Sequence, residues 1–112
     1  MDADQLLELT KKLDSKKRGK KEELEKLQNF FERFHLLNRK YLDKETFEGA
    51  QGSITSMAEA IASTVQFLND EIARLRSKRM KLPFENVELN EMQKAQAKTE
   101  LLVREYLAGF KA

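Results

Sequence analysis

An all-α chain, arranged as an antiparallel three-helix bundle or as an extended helical hairpin plus a C-terminal helix, is what this sequence predicts, and three observations predict it. Apolar residues recur at alternating spacings of three and four along nearly the whole chain, the signature of a helix with one buried face. A single proline and only four glycines interrupt 112 residues. Charged residues make up 36% of the chain, above the usual quarter or so, which suits helices whose apolar stripes are narrow and pack in coiled-coil fashion. The length fits one domain, 1–112, with one core.

The first helix is expected over about 3–42. Its seam reads Leu24, Leu27, Phe31, Phe34 and Tyr41, with Asn38 filling one slot. Followed backwards, the same phase meets Lys20 and Lys17, then Leu13 and Leu6. Asp2 and Gln5 make a capping pair at its start. Gly19 weakens this helix by about 1 kcal/mol relative to alanine and marks where it would break. Unbroken, it would be about 60 Å long at 1.5 Å per residue.

Residues 43–53 (DKETFEGAQGS) read as the turn, with Gly49 and Gly52 supplying backbone freedom. The second helix is expected over about 53–82, capped by Ser53 or by a Ser56–Glu59 capping box. Ile54, Ala58, Ile61, Val65, Leu68, Ile72 and Leu75 form the cleanest seam in the chain, with Arg79 and Leu82 next in phase. Pro83 disfavours helical backbone at the residue before it and should end the helix near Leu82. A connection over 83–88, with Asn86 as its N-cap, leads to a third helix over about 87–109 carrying Leu89, Met92, Ala95, Leu102, Tyr106 and Phe110. Phe30, Leu37, Phe67, Met80, Leu101 and Leu107 lie off these seams and widen the stripes. Of these, Phe30, Leu37 and Phe67 are the candidates for packing against a partner protein or a second copy in a dimer.

Charge is unevenly spread. Residues 11–21 (KKLDSKKRGKK) hold seven Lys/Arg against one Asp, and residues 74–81 (RLRSKRMK) hold five with no acid. The remainder holds nine basic and eighteen acidic residues, so the formal +2 conceals a polarised molecule that favours anionic partners. If the chain turns back at residues 47–51, antiparallel neighbours have numbers adding to roughly 98. Lys16, Lys17, Arg18, Lys20 and Lys21 would then meet Arg74, Arg76, Lys78, Arg79 and Lys81 at one end of a hairpin. Either nearby glutamates (Glu22, Glu23, Glu25, Glu85, Glu88, Glu91) neutralise this cluster internally, or an external anion does. The external candidates are nucleic-acid phosphate, an acidic lipid surface or an acidic protein.

Few residues invite chemistry. There is no cysteine, hence no disulfide, thiolate nucleophile or zinc–cysteine site. Glu32 and His35 have the Glu-x-x-His spacing of carboxylate-bridged di-iron bundles, but such a site needs the motif twice and this chain has one histidine. His35-Leu36-Leu37-Asn38-Arg39 lacks the lysine and glycine that phosphotransfer domains place after their histidine. Ser53, Thr55 and Ser56 are better explained as helix caps than as nucleophiles, which need a base and an orienting partner. Phe47-Glu48-Gly49, between two long helices, resembles the Trp-x-Gly signature of small secreted hairpin proteins, with Phe in place of Trp. That resemblance implies a ring packed under a turn and export without a leader.

No apolar run approaches the roughly 20 residues of a membrane span, and the acidic start is unlike a signal peptide. The chain is therefore expected in the cytoplasm, with no metal, cofactor or small-molecule substrate. The expected function is that of a non-enzymatic interaction module (an adaptor, chaperone or assembly factor) that docks by apolar helix faces and orients by its basic end. Nucleic-acid binding through the basic patch is the alternative, and leaderless secretion a third.

Overall fold

The computed structural model describes residues 5–8 and 21–108, and every ordered element among them is helical. Helix α1 spans Lys21–Leu37, the short α2 spans Lys44–Ala50, α3 spans Ile54–Ser77 and α4 spans Pro83–Ala108. A further helical stretch covers residues 5–8. The expected helical bundle is present. No helix among the described residues is long and apolar enough to cross a membrane.

Three boundaries differ from the sequence expectation, each for a local reason. The first helix ends at Leu37 instead of near 42. At Asn38 the side-chain amide donates to the Phe34 carbonyl at 3.0 Å and to Thr99 Oγ1 at 2.9 Å. The N–H groups of Tyr41 and Leu42 then both return to the Asn38 carbonyl. A short amide that bonds its own backbone competes with helix continuation, and here it turns the chain. The second long helix stops at Ser77, not Leu82, with the Lys78 N–H closing on the Leu75 carbonyl. The last begins at Pro83, not 87, because proline at the first helical position gives up an N–H that would have no partner anyway. Glu85, three residues after Leu82, completes this start: its Oε1 accepts from the Leu82 N–H at 3.0 Å, the return half of a capping box. Ser53 is the cap of α3, its hydroxyl accepting from the Ser56 N–H.

The largest departure is in chain direction. Against α4, helix α1 makes pairs Phe30–Tyr106, Arg33–Glu105 and Asn38–Thr99, so the two are antiparallel. Asn69–Gln96 and Lys78–Glu85 make α3 antiparallel to α4 as well. Helices α1 and α3 consequently run the same way. The 43–53 segment, read as the turn region with Asp43 able to start a short helical turn, holds α2, a return stroke that carries the chain back along α1. Phe47 of α2 lies against Phe31, with ring centroids 4.9 Å apart, and stacks on His35 at 4.1 Å. At the foot of the stroke Gly52 adopts φ +82°, a region open to glycine, and its N–H is held by Gln28 Oε1 at 3.1 Å.

Two apolar clusters result. The larger joins Leu6, Leu27, Phe30, Phe31 and Phe34 to Met57, Ile61, Val65, Leu102 and Val103, with Phe47 and Tyr106 packed on it. The smaller holds Leu68, Ile72, Leu75 and Met92, with Tyr41 and Leu89 at its edge. The seam expected for the second helix is buried from Ala58 through Leu75, whereas Arg79 and Leu82 fall beyond the helix and are exposed.

Candidate functional site

The two basic clusters do not form one described site. Lys16, Lys17, Arg18 and Lys20 lie outside the described residues. Lys21 opens α1, and because α1 and α3 are parallel, it starts at the end of the bundle away from Arg74–Lys81. From the shared pairing with α4, residue 38 is level with about residue 66, so Lys21 is about 40 Å along the axis from Lys78 at 1.5 Å per residue. The expected neighbour rule fails because α2 turns the chain twice.

The second cluster occupies the apex of the α3–α4 hairpin, and its five cations divide into two groups. Arg74 pairs with Glu71 at 2.8 Å, and Lys78 pairs with Glu85. Glu85 is only 6% exposed. Its carboxyl is held below the usual range, first by Lys78 and then by the Leu82 N–H, against the opposing effect of burial. Arg74 likewise lowers the Glu71 carboxyl. The remaining cations Arg76 and Arg79 are exposed, and neither they nor Lys81 has a carboxylate partner among the described residues. The Lys81 ammonium donates to the Lys78 carbonyl. Among the described residues, internal neutralisation by glutamate thus accounts for Arg74 and Lys78 only. Glu91, expected to serve this end, is instead joined to Lys40 at 2.6 Å and raises the lysine's pKa.

Beside these cations sit Met80 at 90% exposure, Phe84 at 63%, Val87 at 57% and Leu82 at 56%. Sequence periodicity placed Met80 off the seams and Leu82 in phase with the second helix's seam, and did not mark Phe84 or Val87. The signal that could have found the rest is Pro83: once it starts a helix, Leu82 and Phe84 become cap and first-turn residues with nothing to cover them.

A separate apolar surface lies between α1 and α4. Leu36 and Leu101 are 58% and 65% exposed and line the same groove of about 330 Å3, with Leu37 and Leu102 deeper in it and Arg33, Lys98 and Glu105 around it. A second groove of about 220 Å3 adjoins it, sharing Arg33, Leu102 and Glu105. Of the three residues expected to meet a partner, Leu37 lies in this groove and is partly buried. Phe30 is 3% exposed, occupied within the fold by Phe34 and Tyr106. The C-terminal helix covers it, which the off-seam position of Phe30 did not reveal. Phe67 is 45% exposed, near Tyr41, on the opposite side of α3 from its seam.

Phe67 also borders the two remaining grooves. One, of about 510 Å3, lies between α2 and α3 and is lined by Tyr41, Asp43, Thr46, Ser56, Glu59 and Thr64 among others. The other, a shallow site of about 590 Å3, includes Leu7, Gln66 and Asp70. The buried Thr64 hydroxyl donates to the Ala60 carbonyl, a helix bond that leaves it no activating base. Burial raises the pKa of the Tyr41 hydroxyl. Among the described residues no group of three or more His, Asp or Glu is placed to hold a metal ion. His35, the residue that suggested di-iron or phosphotransfer chemistry, has its ring flat against Phe47. No protein-family model matches the chain, and neither curated proteins nor solved structures give a match.

Proposed function

We propose that this protein is a non-enzymatic, cytoplasmic interaction module, an adaptor, chaperone or assembly factor, that docks a helix in the leucine groove between α1 and α4 and self-associates there. One observation carries the reading: Leu36 and Leu101 are solvent-exposed at the same level of two adjacent antiparallel helices and line one groove. Apolar side chains arranged along a two-helix groove suit the apolar face of a third helix. The rim, with Arg33 paired to Glu105 and Lys98 beside them, supplies polar contacts around an apolar centre, the usual anatomy of a docking surface.

Light scattering on the whole chain tests self-association. The mass should rise above 13.1 kDa with concentration, and the double variant L36E/L101E should remain monomeric. A wild-type monomer at high concentration removes the dimer. Affinity capture from native cells, comparing wild type with L36E/L101E, then tests docking of other proteins. Partners that are retained equally by both proteins would sink the groove as the docking surface.

Nucleic-acid binding is favoured by one feature, the three apex cations that have no carboxylate partner among the described residues. Its mark would be affinity falling linearly with salt on a log–log plot.

A further inference from the structure

The apex of the α3–α4 hairpin combines features that neither phosphate binding nor helix docking explains together. Four apolar side chains, Met80, Leu82, Phe84 and Val87, are each more than half exposed within eight consecutive positions. Phe84 and Val87 are three apart on one helix, so they lie on the same face. Arg76 and Arg79 precede them and Lys81 falls between Met80 and Leu82, all three without carboxylate partners among the described residues. The apex is also a projection: α3 and α4 run on past the level at which α1 ends at Leu37. It is held in shape from within, since Glu85 binds Lys78 with one oxygen and the Leu82 N–H with the other, and Pro83 fixes the backbone where α4 begins.

A ligand for this apex has to be anionic on its outside, apolar just beneath, and able to close around a projection without offering a pocket. A nucleic-acid strand supplies the phosphates but leaves Met80, Leu82 and Val87 against water, with only Phe84 able to stack on a base. An anionic bilayer surface supplies both layers at the required depth order, charge first and acyl chain below. Long basic side chains suit the boundary, because they keep their charge at the headgroups while their stems lie along apolar surface.

We propose that residues 76–87 form a membrane-surface anchor. Met80, Leu82 and Phe84 enter the headgroup–acyl boundary of an anionic leaflet, and Arg76, Arg79 and Lys81 contact lipid phosphate and carboxylate. This surface is separate from the α1–α4 groove, so either can fail without the other.

The test uses the whole chain with vesicles of phosphatidylcholine alone and of phosphatidylcholine with phosphatidylserine at roughly three to one, the composition contrast that isolates surface charge. Sedimentation should show binding to the anionic vesicles tighter by tens-fold or more, since each surface cation contributes about fivefold at low salt. M80S/F84S should lower that binding by about tenfold or more, and R76E/R79E/K81E should abolish it. Circular dichroism should be unchanged in both, because Arg76, Arg79, Met80 and Phe84 are exposed and Lys81, half-buried, gives up one bond to the Lys78 carbonyl. The chain has no cysteine, so M80C can carry a single polarity-sensitive dye. Its emission should shift to the blue and escape aqueous iodide on anionic vesicles, while dye on A97C, an exposed position along α4, should not respond. Absence of vesicle binding at low salt, equal binding by M80S/F84S, or a dye at position 80 that stays open to iodide would each overturn the anchor. Retention on an oligonucleotide or polyglutamate, without vesicle binding, would reassign the apex to nucleic acid or acidic protein.

Discussion

The α3–α4 hairpin is packed very differently at its two ends. Near Ile61 and Val103 it is clasped by α1 and α2, and the shared core includes Phe31 and Phe34, both fully buried. Near Leu75 and Met92, among the described residues, only the two helices face each other, with Tyr41 and Leu89 as flanking cover. The sequence treats both ends alike, with one unbroken seam from Ile54 to Leu75. What separates them is the length of α1, which stops at Leu37, level with about residue 65 of α3. Above that level an apolar residue off the seam meets no third helix among the described residues. The exposed apex follows from where another helix ends, two turns of chain away.

The sharpest way to break this comparison is to cut into both cores. Phe31→Ala should destabilise the whole fold by about 4 kcal/mol, read by urea or thermal unfolding, because a ring packed on several elements leaves a cavity that cannot collapse. Leu75→Ala should cost about 2 kcal/mol, the low end for a buried leucine, because two helices with a free side can close the gap. Equal losses at the two sites would mean that the hairpin end is as tightly held as the body.

Asn38 sits at the boundary between the two regions. Its Nδ2 is bonded, but its Oδ1 is buried with no partner. Asn38→Ala should cost about 2 kcal/mol by stripping bonds from the Phe34 carbonyl and Thr99. Asn38→Leu combined with Thr99→Val should lie within about 1 kcal/mol of wild type, because it removes both polar partners and fills the space. A double variant as damaged as Asn38→Ala would show that the amide is needed to end α1, not only to satisfy Thr99.

A smaller effect, confined to the hairpin end, is expected from pH. The folded Glu85 carboxyl lies below the 4.5 of an unperturbed glutamate, so the folded state releases its proton more readily than the unfolded state. Its stabilisation is complete above that unperturbed value and is lost as pH falls through the depressed one. Hydrogen exchange at amides of residues 75–88 should therefore lose protection on acidification in wild type, and Glu85→Gln should flatten that dependence. Smallest of all, Glu105→Gln should change stability by no more than about 0.5 kcal/mol, fading in high salt, since its pair with Arg33 is open to solvent at 57% and 65% exposure.

Much of the fold was legible because burial and spacing are linked by helix geometry. Leu27, Phe31, Phe34, Ile61, Val65, Leu68, Leu75, Met92 and Leu102 are buried where the three-four rhythm places them. Asn38 was read as a seam slot and is one. Chain direction was not legible. The turns at 38–43 and 51–53 depend on one buried amide meeting Thr99, sixty-one residues away, and on a short helix whose seven residues are too few to show a period. Of the basic constellation only Lys21 and the 74–81 cluster lie among the described residues, and the second reversal sets these at opposite ends, which a neighbour rule based on a single fold-back could not foresee. The apex was half legible: its cations stand out in sequence, whereas Leu82 looks like a seam residue and Phe84 like part of a connection until the helix start at Pro83 is known.

The parallel course of α1 and α3 has a consequence for how the chain assembles. Helix α1 leaves the ribosome early, yet its bonds to α4 join residues 61 and 72 positions apart. Such distant contacts carry the larger closure cost, so the local α3–α4 hairpin should consolidate first and α1 should attach to it afterwards. During synthesis Phe30, which α4 covers through Tyr106, therefore waits in water until α4 emerges, an interval in which a holdase would find its binding site.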